Sequence, residues 1–324
     1  MDRVTTPVPR ALKLFWGGFG LVVIAGAAYL QYLGPIKPPA TLPARQADGA
    51  IPAPSPMLLA ASAVDPAWKI PHPGPYGITP MRYYAARPAT TTTTAGKPEI
   101  AIMVAGLGYA LAPGLAAVKT LPPAVSLGFS PYGAHDAALT LAARKAGHET
   151  ILGLPMEVNN SPDITEGDQA LHAGASPATN LKRLDWALSR IQGYAGVTDA
   201  IGMTVPETFM THPHAASWLA GQISASGLFL VAATPGASLP SGMTGRSATI
   251  VIDPDSGTSA ITNDLNLLVS TAIAKGSAIG VITEPTRAGI ATLAAWLRSP
   301  STSHVSLVPV STLADPGASA AGSP

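Results

Sequence analysis

The sequence predicts an α/β protein, a (β/α) barrel of seven to eight units, preceded by one transmembrane helix and a disordered linker. Three observations carry that expectation: short apolar runs alternating with helical patterns over 98–314, one charge-free apolar run near the N-terminus, and Pro-, Ala- and Thr-rich text between the two. With 32 Gly and 33 Pro, about a fifth of the 324 residues are of these two types against a usual ~12%, so part of the chain is expected outside the compact domain.

The first apolar run covers 14–33 (LFWGGFGLVVIAGAAYLQYL) and holds no charge. About twenty residues at ~1.5 Å each span the ~30 Å of a bilayer's hydrocarbon. Arg3, Arg10 and Lys13 precede it, which puts residues 1–13 in the cytoplasm, and Trp16, Tyr29 and Tyr32 stand where aromatic rings favour the membrane interface. A signal peptide cleaved after Ala27 is the alternative, but apolarity continuing to Leu33 favours a retained signal anchor. The expected location is the inner membrane, single-pass, with the rest of the chain in the periplasm or outside the cell. Residues 34–97 (IPAPSP, HPGPYG, then TTTTT at 90–94) show no sustained period and read as a disordered linker, with one short apolar patch at 57–64. Residues 315–324 read as a disordered tail.

Within 98–314, strands are expected at 100–104, 124–130, 150–156, 194–198, 228–232, 249–253, 278–283 and 305–310. Most are apolar on both parities, as a parallel sheet covered on both faces requires. Helices are expected at 112–121, 134–146, 178–191, 214–226, 262–275 and 287–297, several closing on a glycine such as Gly147, Gly227 or Gly276. A doubly wound open sheet is the alternative arrangement. In a barrel, function sits where strands run into loops at their C-terminal ends.

Composition excludes several classes. A net charge of +1 with only 11% charged residues leaves no basic footprint for nucleic acid. The absence of cysteine excludes a disulfide scaffold, thiol catalysis and Cys-ligated metal. Residues 105–108 (AGLG) follow a strand but lack the full spacing, the Lys and the acidic residue of a nucleotide loop.

Five segments carry a family resemblance. They are KPEIAIMVAGLGY (97–109), ARKAGHETILGLPME (143–157), NLKRLDWALSRIQGYAGVTDAIG (180–202), GLFLVAAT (227–234) and LVPVSTL (307–313). In this order they resemble the divergent polysaccharide deacetylase family over nearly all of 98–314. The resemblance implies a deacetylase-like barrel and a metal-assisted attack on an acetyl group. It also implies an Asp-Asp pair after the first strand, which here is Ala105-Gly106. The family's His or Gln before Leu-Pro-Met-Glu is Gly153, its Asn-(His/Tyr) is Asp199-Ala200, its acid after the fifth strand is Ala232, and its late Gly-His is Ile282-Thr283.

A hydrolytic metal needs about three converging N/O ligands, and these positions supply none. The expectation is therefore no catalytic residue, no metal and no cofactor, and a module that binds an envelope glycan or protein. Candidate ligand-binding residues are Tyr109, Tyr132, Glu157, Asp199, Thr234 and Asp253. The alternative is an active metal-dependent deacetylase or hydrolase with relocated groups from Glu157, Asp199, Glu207, His212 and His214. His148 lies before a strand, on the N-terminal face, where a structural hydrogen bond is expected. Thr211 is expected to cap the helix that follows it.

Overall fold

A computed structural model describes residues 10–33, 49–87, 96–158, 167–201 and 208–315. The chain divides into two units, Met1–Thr41 and Leu42–Pro324. The first contains helix α1 (Arg10–Leu33). Its described apolar side chains, among them Phe15, Leu21, Val22 and Ile24, are exposed, and Phe15 and Phe19 meet the Trp16 ring edge-on. Among the described residues no helix is long and apolar enough to cross a membrane. That description leaves out several α1 side chains, including those of Leu14 and Leu30 to Leu33, and the membrane reading of 14–33 returns below as a proposal.

The second unit is built on a parallel sheet. Its strands are β3 (Glu99–Leu107), β4 (Ser126–Phe129), β5 (Thr150–Gly153), β6 (Gly196–Thr198), β7 (Phe229–Ala232), β8 (Gly245–Ser247), β9 (Ile250–Ile252), β10 (Ser277–Ile282) and β11 (Ser306–Val308). The strand order is β8-β7-β6-β5-β4-β3-β10-β9. Its two ends are consecutive halves of one extended run: β8 pairs with β7, and two residues later β9 pairs with β10. The sheet thereby curls round on itself. β3 is the pivot, with β10 along one edge, and β11 followed by β4 along the other. Around the outside lie α3 (Leu111–Thr120), α4 (Asp136–Lys145), α5 (Pro177–Leu188), α6 (Pro213–Ala225), α7 (Thr258–Lys275) and α8 (Arg287–Leu297). Gly147, Gly227 and Gly276 follow α4, α6 and α7 at φ of 86°, 67° and 86°, the left-handed turn that a glycine makes without steric cost.

Strand alternation sorts the core into two layers. On β3, Ile100, Ile102 and Val104 pack outward under the helices, whereas Ala101, Met103 and Ala105 pack inward. The same split gives Ile151, Phe229, Val231, Ile279 and Val281 to the interior. The inside of the curled sheet is thus filled with apolar side chains.

The expected linker is corrected here. Residues 49–87 fold over the N-terminal ends of the strands as a strap with a small antiparallel pair, β1 (Leu59–Ala61) and β2 (Lys69–Pro71), and a short helix, α2 (Pro80–Tyr83). Ile51, Leu58, Ile78, Tyr84 and Ala86 are buried in the inner core layer, so part of the 57–64 patch docks inside this chain. Met81 N–H donates to Gly227 O (3.0 Å), Ile51 N–H to Arg144 O (2.9 Å), and Ser62 Oγ to Asp185 on α5 (2.5 Å). A Pro-rich segment with five well-placed apolar anchors gains its order from a surface already formed, not from its own periodicity. Residues 34–48 and 88–95, the threonine run included, lie outside the described residues.

The C-terminal end differs too. The expected last strand stops at Val308, and Val310 opens α9 (Val310–Ala314), which packs against β3, β7, β8 and β10. Asp315, expected in the tail, is buried and pairs with Arg82 Nε at 3.3 Å; residues 316–324 lie outside the description. At this face Glu149 is fully buried. Its carboxylate accepts from Ser126 Oγ (2.6 Å), Ser311 Oγ (2.5 Å), Ser311 N–H (3.0 Å) and Ala86 N–H (3.0 Å), joining β4, α9 and the strap. Neighbouring His148 is buried with Nδ1 2.8 Å from Val125 O, and burial lowers its pKa. The retained Gly-His-Glu is therefore structural.

Candidate functional site

At the opposite, C-terminal ends of the strands, the expected degenerate positions are small and sealed. Ala105, Ala200 and Gly153 are buried. β3 shifts register between Val104 and Leu107, with Gly106 at φ 75°. A Cβ added to Gly153 would come within 2.6 Å of Ile201 Cγ2 and 3.3 Å of Phe129 O. Ile201 thus occupies the space a side chain at 153 would need. Gly153→Ala is expected to cost ~1–3 kcal/mol in a urea titration through overpacking, with much of the loss recovered by adding Ile201→Ala.

Ala232 is a correction. It lies on the outer layer with Leu230, because Phe229 and Val231 hold the inward parity, and the next inward residue is Ala233. Asp199 is buried, and its Oδ1 accepts from Ala233 N–H at 2.5 Å, tying the ends of β6 and β7. Burial raises its pKa to about 6, against the lowering effect of that bond and others to Asp199 N–H and Thr198. Thr234 contributes its carbonyl to a turn, accepting from Ala237 N–H. Asp253 accepts from Asp255 N–H at 2.9 Å and so caps its own loop. Thr283 is buried with Oγ1 unpartnered. Beside it Glu284 sits at φ 44°, its pKa raised by burial first and then by Asp255 and Asp253.

The rim holds the polar cluster. Glu157 follows a short bridge, Met156 to Leu171, and its N–H donates to Leu171 O while its O accepts from Thr208 N–H (2.9 Å). Those two bonds fix it between the segments that carry His172 and His212. Its Oε2 lies 3.2 Å from His172 Nδ1 and its Oε1 3.7 Å from His212 Nε2. Buried Asn180 on α5 holds the His172 backbone from both sides, accepting from its N–H (3.1 Å) and donating to its O (2.8 Å). Glu157 and His212 were anticipated from the sequence; His172 was not, and only the bridge brings it near. Thr211 Oγ1 donates to Thr208 O, and α6 has no side-chain cap, which corrects the capping expectation. His214 is exposed, and Glu207 lies outside the described residues.

The aromatic candidates part company. Tyr109 is 52% exposed on the loop after β3. Tyr132, after β4, packs on Trp186 with ring centroids 5.1 Å apart, and its hydroxyl accepts from Gln169 N–H (3.1 Å). Arg190 covers Trp186 at 5.3 Å. Among the described residues no three His, Asp or Glu side chains are arranged to hold a metal ion. Among the described residues, Ala105, Gly153 and Ala200 pack against their neighbours where the family's ligands would converge, and their side chains supply no metal-ligating group.

A curled parallel β/α sheet with its loops gathered at the C-terminal rim is a half-barrel that fits the deacetylase-like barrel the sequence leads one to expect. The sequence profile of the divergent polysaccharide deacetylase family matches residues 102–314, and the chain belongs to that family. No curated protein matches it. Among solved structures it is similar to an uncharacterized protein from Agrobacterium tumefaciens C58, with 27% identity and a TM-score of 0.66 over 76% of this chain and 99% of that one. It also matches a candidate cellobiose-phosphate cleavage protein from Enterococcus faecalis V583 at 10% identity and TM-score 0.47, over 67% and 99% of the chains, too distant to carry an argument.

Proposed function

We propose that this is a membrane-anchored, exported member of the family that does not hydrolyse acetyl groups and instead binds an envelope glycan at the barrel mouth. The observation that carries the reading is the sealed set of strand ends, Ala105, Gly153 under Ile201, and Ala200, beside an intact polar rim. Glu157, with two acceptor oxygens and 19% side-chain exposure, is suited to a sugar hydroxyl, and exposed Tyr109 offers a ring face. The anchor rests on the charge-free run 14–33 behind three basic residues. An envelope protein as the ligand is an outcome of the binding test.

A second reading, an enzyme with relocated groups, is favoured by one observation, the convergence of His172 and His212 on Glu157. One experiment separates the two. The full chain, incubated with N-acetylated amino-sugar oligosaccharides and Zn, Mn or Co, is expected to release no acetate. Its binding to them is expected to survive chelation and to weaken about tenfold, ~1.4 kcal/mol, in Glu157→Ala. Turnover that vanishes on chelation and returns with metal would overturn the first reading in favour of the second.

A further inference from the structure

We propose that Asp136 is a proton-operated latch between the two mouth loops that carry Tyr109 and Tyr132, closed when its carboxyl is protonated and loosened when it ionises. The loops, 108–110 after β3 and 130–135 after β4, are stitched by Ser130 N–H donating to Leu107 O at the end of β3 (2.8 Å) and His135 N–H donating to Gly108 O (3.2 Å). Asp136, the first residue of α4, places its carboxyl in the seam. A Cβ on Gly108 would run into Oδ1, and one on Gly133 into the whole carboxyl group, so both glycines are required for the group to fit. The residue is 6% exposed, and Oδ1 has no hydrogen-bond partner.

A neutral carboxyl tolerates that seat, but a carboxylate oxygen buried without a donor does not. Burial raises the pKa to about 7, opposed first by Arg190 and then by the Gly133 N–H. The other titratable side chains on the elements that close on it are His135 on its own loop, Tyr132, and Tyr109 across the seam. For an acid whose folded-state pKa is raised, the protonated form favours the folded arrangement. The contribution is full below the ordinary value of 3.8 and is lost as pH rises through about 7. Its effect on ligand binding rests on the glycan reading above; its effect on the loops does not.

The test is amide hydrogen exchange of Ser130 and His135 in the full chain in detergent, corrected for the intrinsic pH dependence, between pH 5.5 and 8.5. Protection is expected to fall about tenfold per pH unit from pH 5.5 to about 7 in the wild type, to level off above that, and to stay level throughout in Asp136→Asn, which keeps the shape without the charge. Level protection in the wild type overturns the latch, even if the variant does not fold, and so does an equal fall in both proteins. Glycan affinity measured alongside keeps the readings apart: no binding at any pH defeats the glycan reading, while pH-dependent exchange still upholds the latch.

Discussion

Glu149→Ala is expected to leave the protein unfolded or aggregated under conditions where the wild type is soluble. The carboxylate is fully buried and receives four hydrogen bonds from three separate parts of the chain: β4, α9 and the strap. Truncation removes the shared acceptor and strands Ser126 Oγ, Ser311 Oγ and two backbone N–H groups in a site closed to water. At ~1–3 kcal/mol for each donor left unsatisfied, the loss is on the order of 4 kcal/mol or more, a large part of the 5–15 kcal/mol typical of a whole domain.

Urea titration of the variant series checks the assignment. Ser126→Ala and Ser311→Ala each remove one donor and leave the carboxylate with three, so each is expected to cost ~1–2 kcal/mol. Glu149→Gln should fall between, because its amide keeps one acceptor but turns a second donor toward groups that themselves donate. A Glu149→Ala protein that unfolds at nearly the wild-type urea midpoint would refute the lock.

Much of the barrel was legible because parallel strands covered on both faces are apolar on both parities, as in β3 after Glu99 and β10 after Ser277, and helices end on glycines in a left-handed turn. The half-strand Gly-Arg-Ser of β8 was not, since it sits at intermediate burial and reads as loop until β9 is seen to continue it. Ala232 was misplaced by one residue, and in a strand one residue exchanges the faces. Glu157 was visible as the acid after Leu-Pro-Met. His172 and Asp136 were not, because their roles depend on where distant backbone comes to rest: Leu171 beside Glu157, and Gly108 against the start of α4. The strap was hidden for a different reason. Its apolar anchors, Ile51, Leu58, Ile78, Tyr84 and Ala86, follow no period of two or 3.6, since what spaces them is the contour of the barrel end they cover.

That contour makes the strap part of the fold, and a chain beginning at Lys97 is expected not to fold, whereas one beginning at Gly49 is expected to melt cooperatively. Burial of the four large strap side chains, at ~1.5–3 kcal/mol each, contributes on the order of 6–12 kcal/mol before the cost of ordering the segment. Their loss would also bare the inner-layer residues they cover and leave Glu149 without the Ala86 donor. Soluble yield and circular-dichroism melting of the two chains decide the matter. A chain from Lys97 that melts cooperatively within a few degrees of the longer one would show the strap to be dispensable to the barrel.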